Sequence, residues 1–342
     1  MSFRFPLLIL TLGVAACTAA TTPTTTTVST TTTVPVPAPV EPSYGFAPGQ
    51  AVTYDVSVRQ DITFTAEGDA AGLGDETLPI DADVVSENVG TSVYTVTNAS
   101  DSSVTLDITA DFPETRVTGT VNGEPLGESG GEGGVASDLS RIQPVATTVV
   151  LDRRGTLVDD GATDLAATGA DLAALAGLTN DLFSVPVGPA FPSRPIGLGD
   201  DWETIWERPG QDQTVTVASR SRVTEHTERR LVVESQTTTG AQSADFSQQF
   251  RDLFLAFAEL DTDIPPELED QLDQIEFSIE AEPSTVIEVA AFDLERRMVS
   301  ESTKTATLHL TMVFRAPDED GEIRGFEIRL VVTQTAVFTL RS

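Results

Sequence analysis

Apolar and polar side chains alternate with a period of two through most of this chain, and that period fits an extended strand rather than a helix. The clearest run is Leu308, Leu310, Met312 and Phe314, with Thr307, His309 and Thr311 in between. Val52, Tyr54, Val56 and Val58 repeat the pattern early in the body, and Phe326, Ile328, Leu330 and Val332 repeat it late. Shorter runs at Val93–Val96 and at Val104, Leu106 and Ile108 flank a turn cluster at Asn98–Ser103. Val215 and Val217, then Leu231–Val233, flank a polar turn at Glu225–Glu228. One apolar and one polar face per strand is the pattern of an antiparallel sheet wetted on one side.

Helical periodicity is confined to two segments. Residues 164–183 place Leu165, Leu172, Leu175 and Leu182 on one side. In residues 245–260, Phe246, Phe250, Leu253, Phe254, Phe257 and Leu260 fall within an arc of about 120° at ~100° per residue. Asp245 with Gln248 three positions on forms a capping pair. Pro265 and Pro266 behind Asp263 start a further short helix, which leads into the alternating Ile275, Phe277 and Ile279. The expected fold is α+β and mainly antiparallel β: a large curved sheet or open half-barrel with a few helices packed on one face. Val149–Gly155 resembles Ala291–Arg297, each closing an apolar strand, and Gly49-Gln50 and Gly199-Asp200 each open one, at a similar spacing of about 140 residues. These matches raise an internal duplication with halves at 43–160 and 196–342. The plainer alternative is that acidic and arginine turns recur in any β protein.

The N-terminus has its own logic. Arg4 supplies a short positive region, and Pro6–Val14 an apolar run broken by Thr11 and Gly13. That run is shorter than the ~20 apolar residues a membrane-spanning helix needs, so a cleaved signal fits better. It closes on Val14-Ala15-Ala16-Cys17, and Cys17 is the chain's one cysteine. This string resembles the lipobox of bacterial lipoproteins, with Val14 in place of the more usual leucine. The resemblance implies removal of residues 1–16, a diacylglycerol thioether on Cys17, and an extracytoplasmic protein lipid-anchored to the cell membrane. A single cysteine allows no disulfide within the chain. Residues 17–42 are then a lipidated cysteine and a Thr/Pro-rich spacer, with prolines at 35, 37, 39 and 42 favouring extended polyproline II. Residues 43–342 form the β-rich extracytoplasmic body.

The chain carries 53 acidic against 20 basic residues, a net charge of −33, and Lys304 is its one lysine. Such a surface repels phosphate backbones and anionic headgroups, which argues against a nucleic-acid partner and makes lipid on Cys17 the membrane tether.

Enzymatic signatures fail on inspection. The only histidines are His226, in the expected polar turn, and His309, on the polar face of a strand. With Cys17 committed to lipid, no His/Cys zinc site can be assembled. Gly127-Glu128-Ser129-Gly130-Gly131 matches a nucleophile-elbow string but lies in a glycine-rich run without the strand and helix that motif needs. Residues 316–327 imitate a calcium loop through Asp318, Asp320, Gly321, Ile323 and Glu327, yet Ala316 stands where the first carboxylate belongs. An acidic hairpin turn is the better reading. No catalytic, cofactor-binding or metal residues are assigned, and the chain reads as a non-enzyme without cofactors.

A phenylalanine-striped helix over a curved sheet, behind a lipid tether, resembles in architecture the LolA-like unclosed-barrel lipoproteins that carry acyl chains. No binding residues transfer from that resemblance. It implies a binding module for a hydrophobic ligand, with an apolar cleft at Phe246, Phe250, Leu253, Phe254 and Phe257. The alternative is a structural or protein-interaction lipoprotein of the envelope, with no small-molecule ligand.

Overall fold

The computed structural model describes residues 37–68, 79–125, 145–159, 188–209, 214–245, 247–248, 274–317 and 323–341, all within one compact unit, Val36–Ser342. Fourteen strands occur among them: β1 (Ala51–Gly68), β2 (Ile80–Ala99), β3 (Ser103–Val121), β4 (Glu124–Pro125), β5 (Val145–Asp152), β6 (Leu157–Asp159), β7 (Asp201–Pro209), β8 (Thr214–His226), β9 (Arg230–Thr239), β10 (Gln242–Asp245), β11 (Glu276–Ala281), β12 (Ser284–Asp293), β13 (Met298–Pro317) and β14 (Ile323–Leu340). All join one antiparallel sheet, ordered β6-β5-β3-β2-β1-β14-β13-β12-β9-β8-β7. β4 adds to β3, while β11 adds to β13 and carries β10. The strands expected from period-two alternation are all present. The two longer expected helices lie outside the described residues, except that Ser247 and Gln248 are helical. There the Asp245 carboxylate accepts the Ser247 N–H at 2.9 Å, as a capping residue does. The short helix after Pro265 and the glycine-rich 127–131 string also lie outside. The fold is therefore mostly antiparallel β, and the expected helical layer is not seen among the described residues.

β9–β10 and β11–β12 act as two long strands, each interrupted once. β12 pairs with the first half of β13 and β11 with its second half. Between them Pro283 has no N–H to give the ladder, and Glu282 N keeps the register by donating to His309 O at 3.0 Å. Asp318, Asp320 and Gly321 of the 316–327 segment lie outside the described residues; on its two sides Ala316 pairs with Arg324 and Pro317 with Ile323. It is flanked by paired strands, as the hairpin reading requires.

The sheet is rolled but unclosed. From β5 to β7 there are nine interstrand steps, which laid flat would span roughly 43 Å at ~4.8 Å each. Instead Phe191 N bonds to Arg154 O in the turn after β5 at 2.8 Å, and its ring lies 6.4 Å from Trp202 on β7. The two ends of the sheet are thus brought to within one side chain of each other. They do not pair: among the described residues β6 and β7 each have a strand on one side only.

Two irregular segments fill the rolled end. Val40 and Ile196 exchange both backbone hydrogen bonds, at 2.9 and 2.7 Å. Tyr44 N bonds to Arg153 O and Gly45 N to Arg297 O. The packed chain thus begins before Ser43. Around Tyr44 the rings of Phe46, Phe191 and Phe292 lie 5.7, 5.8 and 5.3 Å away. Gly155 and Gly188 abut the Tyr44 ring and hydroxyl, where a β-carbon on either would overlap. Both have φ near +90 to +120°, which costs glycine little. The inner face of every strand from β5 around to β7 supplies this core, including Val56, Leu106, Leu151, Trp202, Val233, Phe292 and Phe338.

Local geometry repeats between the halves at the places where the sequence motifs match. Gln50 N bonds to Ala47 O and Asp200 N to Gly197 O. Gly49 N bonds to Val96 O and Gly199 N to Val223 O, and each partner's N–H returns to residue 50 or 200. A bulge follows Val96 on β2 and Val223 on β8. The β2–β3 turn is held by the Ser100 hydroxyl and the β8–β9 turn by that of Thr227. Asp152 and Asp293 each accept two following N–H groups after β5 and β12. The pairing path β1·β2·β3·β5·β6 matches β7·β8·β9·β12·β13.

Candidate functional site

Strand register divides the inner face of the roll into three zones. Nearest the Tyr44 core the face is apolar and buried. At the other end of the long strands lies a second apolar group, Ile279, Ala281, Leu308 and Leu310, with Met312 and Leu330 packed against it. Between them runs a polar belt. Pairing places Thr115, Asn88, Val58, Ala336, Lys304, Glu288, Ser235, Ser221 and Trp202 side by side across nine strands. The next row holds Ser86, Gln60, Gln334, Ala306, Thr237 and Ser219.

Most polar groups of the belt are bonded to one another. Thr115 Oγ1 donates to Asn88 Oδ1 at 2.8 Å, and Asn88 Nδ2 donates to Ser86 Oγ at 3.1 Å. Gln60 Nε2 donates to Gln334 Oε1 at 3.4 Å. Ser221 and Ser235 share a 2.8 Å bond, and Thr237 donates to Ser219 at 3.0 Å. At the centre the Lys304 ammonium lies 3.7 Å from Glu288 Oε1. That oxygen also accepts from Ser302 Oγ at 2.7 Å and from Gly188 N at 3.0 Å. Lys304 is 4% exposed and Glu288 7%, and the lysine ammonium sits 6.0 Å from the Phe338 ring centre. Burial pulls Lys304 below the ordinary lysine range, against the opposing attraction of Glu288. The chain's one lysine is thus an internal strut, buried inside the sheet and neutralised by Glu288.

Beyond the belt, enclosure weakens. Inner-facing Ile62, Phe64, Val84, Met312, Phe326, Ile328 and Leu330 are only partly buried, although each occupies the position that is buried nearer the core. Phe314 and Phe326 bring their rings to 5.2 Å. The outer face is charged, with Arg59 on Asp61 and Glu87, and Arg341 on Asp55. Such exposed pairs contribute little stability.

The speculative cleft residues Phe246, Phe250, Leu253, Phe254 and Phe257 lie outside the described residues, as does Cys17. His309 is exposed on β13, on the polar face expected of it. His226 departs from expectation. It ends β8 rather than lying in the turn, is 7% exposed, and neither ring nitrogen has a hydrogen-bond partner. The bulge between Val223 and Glu225 reverses the alternation and turns His226 inward opposite Leu231. Among the described residues no three His, Cys, Asp or Glu side chains are grouped to hold a metal ion. The Lys304–Glu288 pair was missed from sequence because polar residues on an alternating strand read as its wet face. The isolation of one lysine in so acidic a chain was the available signal.

Comparisons with known proteins add little. No family model matches the chain, and no curated protein matches it. Among solved structures, a crystal structure of an outer membrane channel from Pseudomonas putida F1 is similar over 88% of this chain and 100% of that one, at 10% identity and a TM-score of 0.20. A likeness of that size carries no argument.

Proposed function

We propose that this chain is an extracytoplasmic lipoprotein of the cell envelope, tethered through an acylated Cys17, that binds or carries a hydrophobic ligand and performs no catalysis. The lipobox string and the Thr/Pro spacer support the tether. One observation carries the ligand: within the roll, the inner wall past the polar belt keeps Ile62, Phe64, Met312, Phe326 and Leu330 partly exposed. A wall of that chemistry suits an acyl chain or another apolar group. The belt, with its charges already paired, closes the wall off from the Tyr44 core. Unlike that core, the wall is only partly buried among the described residues, which supports uptake of an apolar guest there. Matching turns, bulges and pairing paths support a duplicated sheet with halves at 43–160 and 196–342.

The test is ligand capture. Protein purified under native conditions and examined by native mass spectrometry should carry a lipid-sized adduct, or take up a hydrophobic dye. Phe64→Glu, which places a carboxylate on the wall but outside the Tyr44 core, should lose that uptake while unfolding as cooperatively as the wild type. Absence of any adduct and of dye uptake in the wild type would reject the reading in favour of an interaction lipoprotein with no small-molecule ligand.

A further inference from the structure

β7 is the long open edge of the sheet. The Val223 N–H donates to Asp200 O, which sets the phase of the ladder to β8. Trp202, Thr204 and Trp206 then turn their backbone groups toward β8, opposite Ser221, Ser219 and Val217. Glu203, Ile205 and Glu207 turn theirs outward. The carbonyl of Asp201 also faces out and is capped by Arg194 Nη2 at 2.8 Å. At the far end of the same edge, Pro209 has no N–H to offer. Between these two stops lies a short stretch of backbone donors and acceptors that no strand pairs among the described residues. Ile205, at its centre, is 62% exposed on the outer face.

We propose that this edge accepts an extended segment of another protein as an added strand, with basic and apolar side chains alternating on its outer face. Three observations fix the partner's chemistry. Outward side chains along β7 are Asp201, Glu203, Ile205 and Glu207, three acids around one apolar residue. Arg220 answers Glu203 at 3.2 Å and Arg222 stands across from Asp201, but Glu207 faces Thr216. The incoming strand therefore needs a cation beside Glu207 and an apolar group beside Ile205. A second copy of the chain fits poorly. Antiparallel pairing of β7 with itself about Ile205 sets Glu203 against Glu207 twice, and like charges directly opposite are destabilising. Finally, an open hollow of about 450 Å³ lies over the β7–β8 pair beside this edge, lined by Asp201, Trp202, Glu203, Arg220, Ser221 and Arg222. This is recognition by strand addition, in which backbone bonds supply affinity and alternate side chains supply selectivity.

The proposal does not depend on the ligand wall, and its test is separate. The probe is a labelled synthetic peptide of the length of β7 alternating arginine and threonine with a central valine, alongside a twin with glutamate for arginine. Anisotropy titrations at physiological salt with the full chain should show the basic peptide binding at least ~tenfold more tightly than its twin. Hydrogen exchange should slow at the amides of Glu203, Ile205 and Glu207 on its addition. Ile205→Pro deletes an outward N–H that β8 does not use, so the fold should persist while peptide affinity falls by ~tenfold or more. Glu207→Arg, a milder change, should weaken the basic peptide and strengthen the acidic one. Equal binding of the two peptides, unchanged binding by Ile205→Pro, or no change in exchange at the three amides would each overturn the proposal. So would a wild-type dimer that Ile205→Pro dissociates, which would assign the edge to a second copy.

Discussion

Every tyrosine of this chain is buried, and that makes its alkaline behaviour a direct test of the rolled core. The sequence holds three tyrosines, and Tyr44, Tyr54 and Tyr94 are each 3% exposed. The Tyr44 hydroxyl donates to Pro189 O at 3.1 Å and the Tyr54 hydroxyl to Val299 O at 3.0 Å. Tyr54 and Tyr94 meet edge to face at 5.3 Å. Desolvation raises all three phenols well above their ordinary value of 10.0, with Glu288 adding repulsion at Tyr44 and Tyr94. An ordinary tyrosine is about 90% ionised at pH ~11. The native protein should show almost no tyrosinate absorbance there, while the urea-unfolded chain shows about 2.7 equivalents from its three tyrosines. The sign of the linkage follows. Above pH ~10 the unfolded state releases protons that the native state holds, so stability present below that pH is lost as pH rises. Each buried phenol then removes ~1.4 kcal/mol by pH ~11, or ~4 kcal/mol for the three. That is a large part of the 5–15 kcal/mol typical of a domain. The measurement is absorbance near the tyrosinate band, with urea midpoints from pH ~8 to ~11. Native titration of even one phenol near pH ~10, without unfolding, would refute the packing described around Tyr44 and Tyr54.

The belt and the tether give two further outcomes. Lys304→Met leaves the Glu288 carboxylate buried against Ser302 and Gly188 without its cation, and should cost ~3–5 kcal/mol in a urea titration, with the Glu288→Gln/Lys304→Met double variant recovering much of the loss. Since burial lowers the native Lys304 below the unfolded value of 10.5, the unfolded state binds more protons in the window just below that value. Stability from this group should therefore rise with pH across that window, and Lys304→Met should lack the rise. Cys17→Ser cannot form the thioether, so the variant should move from the membrane to the aqueous fraction on detergent phase separation; full retention at the membrane would remove the lipoprotein reading.

What the sequence made legible was what depends on local pattern. Val52 to Val58 and Leu308 to Leu310 alternate because their inner positions are buried and their outer positions are wetted, so one strand's pattern is enough to read its face. The turn motifs at Gly49, Gly199, Asp152 and Asp293 were legible for a similar reason, since each includes a bond closed within a few residues: Gln50 N to Ala47 O, Asp200 N to Gly197 O, and the N–H groups that follow the two aspartates. Rolling was not. It depends on Phe191 lying between the turn after β5 and Trp202, a contact with no periodic signature in either segment. Val40 and Tyr44 were hidden in the same way, because an irregular segment packs by shape and not by period.

The polar belt failed to show for a different reason, and it bears on function. Ser302, Lys304 and Gln334 occupy inner positions on strands whose other inner residues are apolar, and so do Ser86, Asn88 and Glu288. Read singly, each looks like a residue on the wet face of a strand out of register. Only the pairing of the strands, such as Asn88 through Val58, Ala336 and Lys304 to Glu288, shows that the exceptions fall in adjacent rows. A row of satisfied polar groups across the inside of a sheet adds no hydrophobic stabilisation, and a buried ion pair is often no better than an apolar replacement. What such a row does supply is a boundary. Apolar side chains on its two sides cannot merge into one core, so the Tyr44 end stays tightly packed while the Phe64–Leu330 wall remains separate from it. On the far side of that boundary the inner surface is apolar and, among the described residues, only partly buried at Ile62, Phe64, Met312 and Leu330.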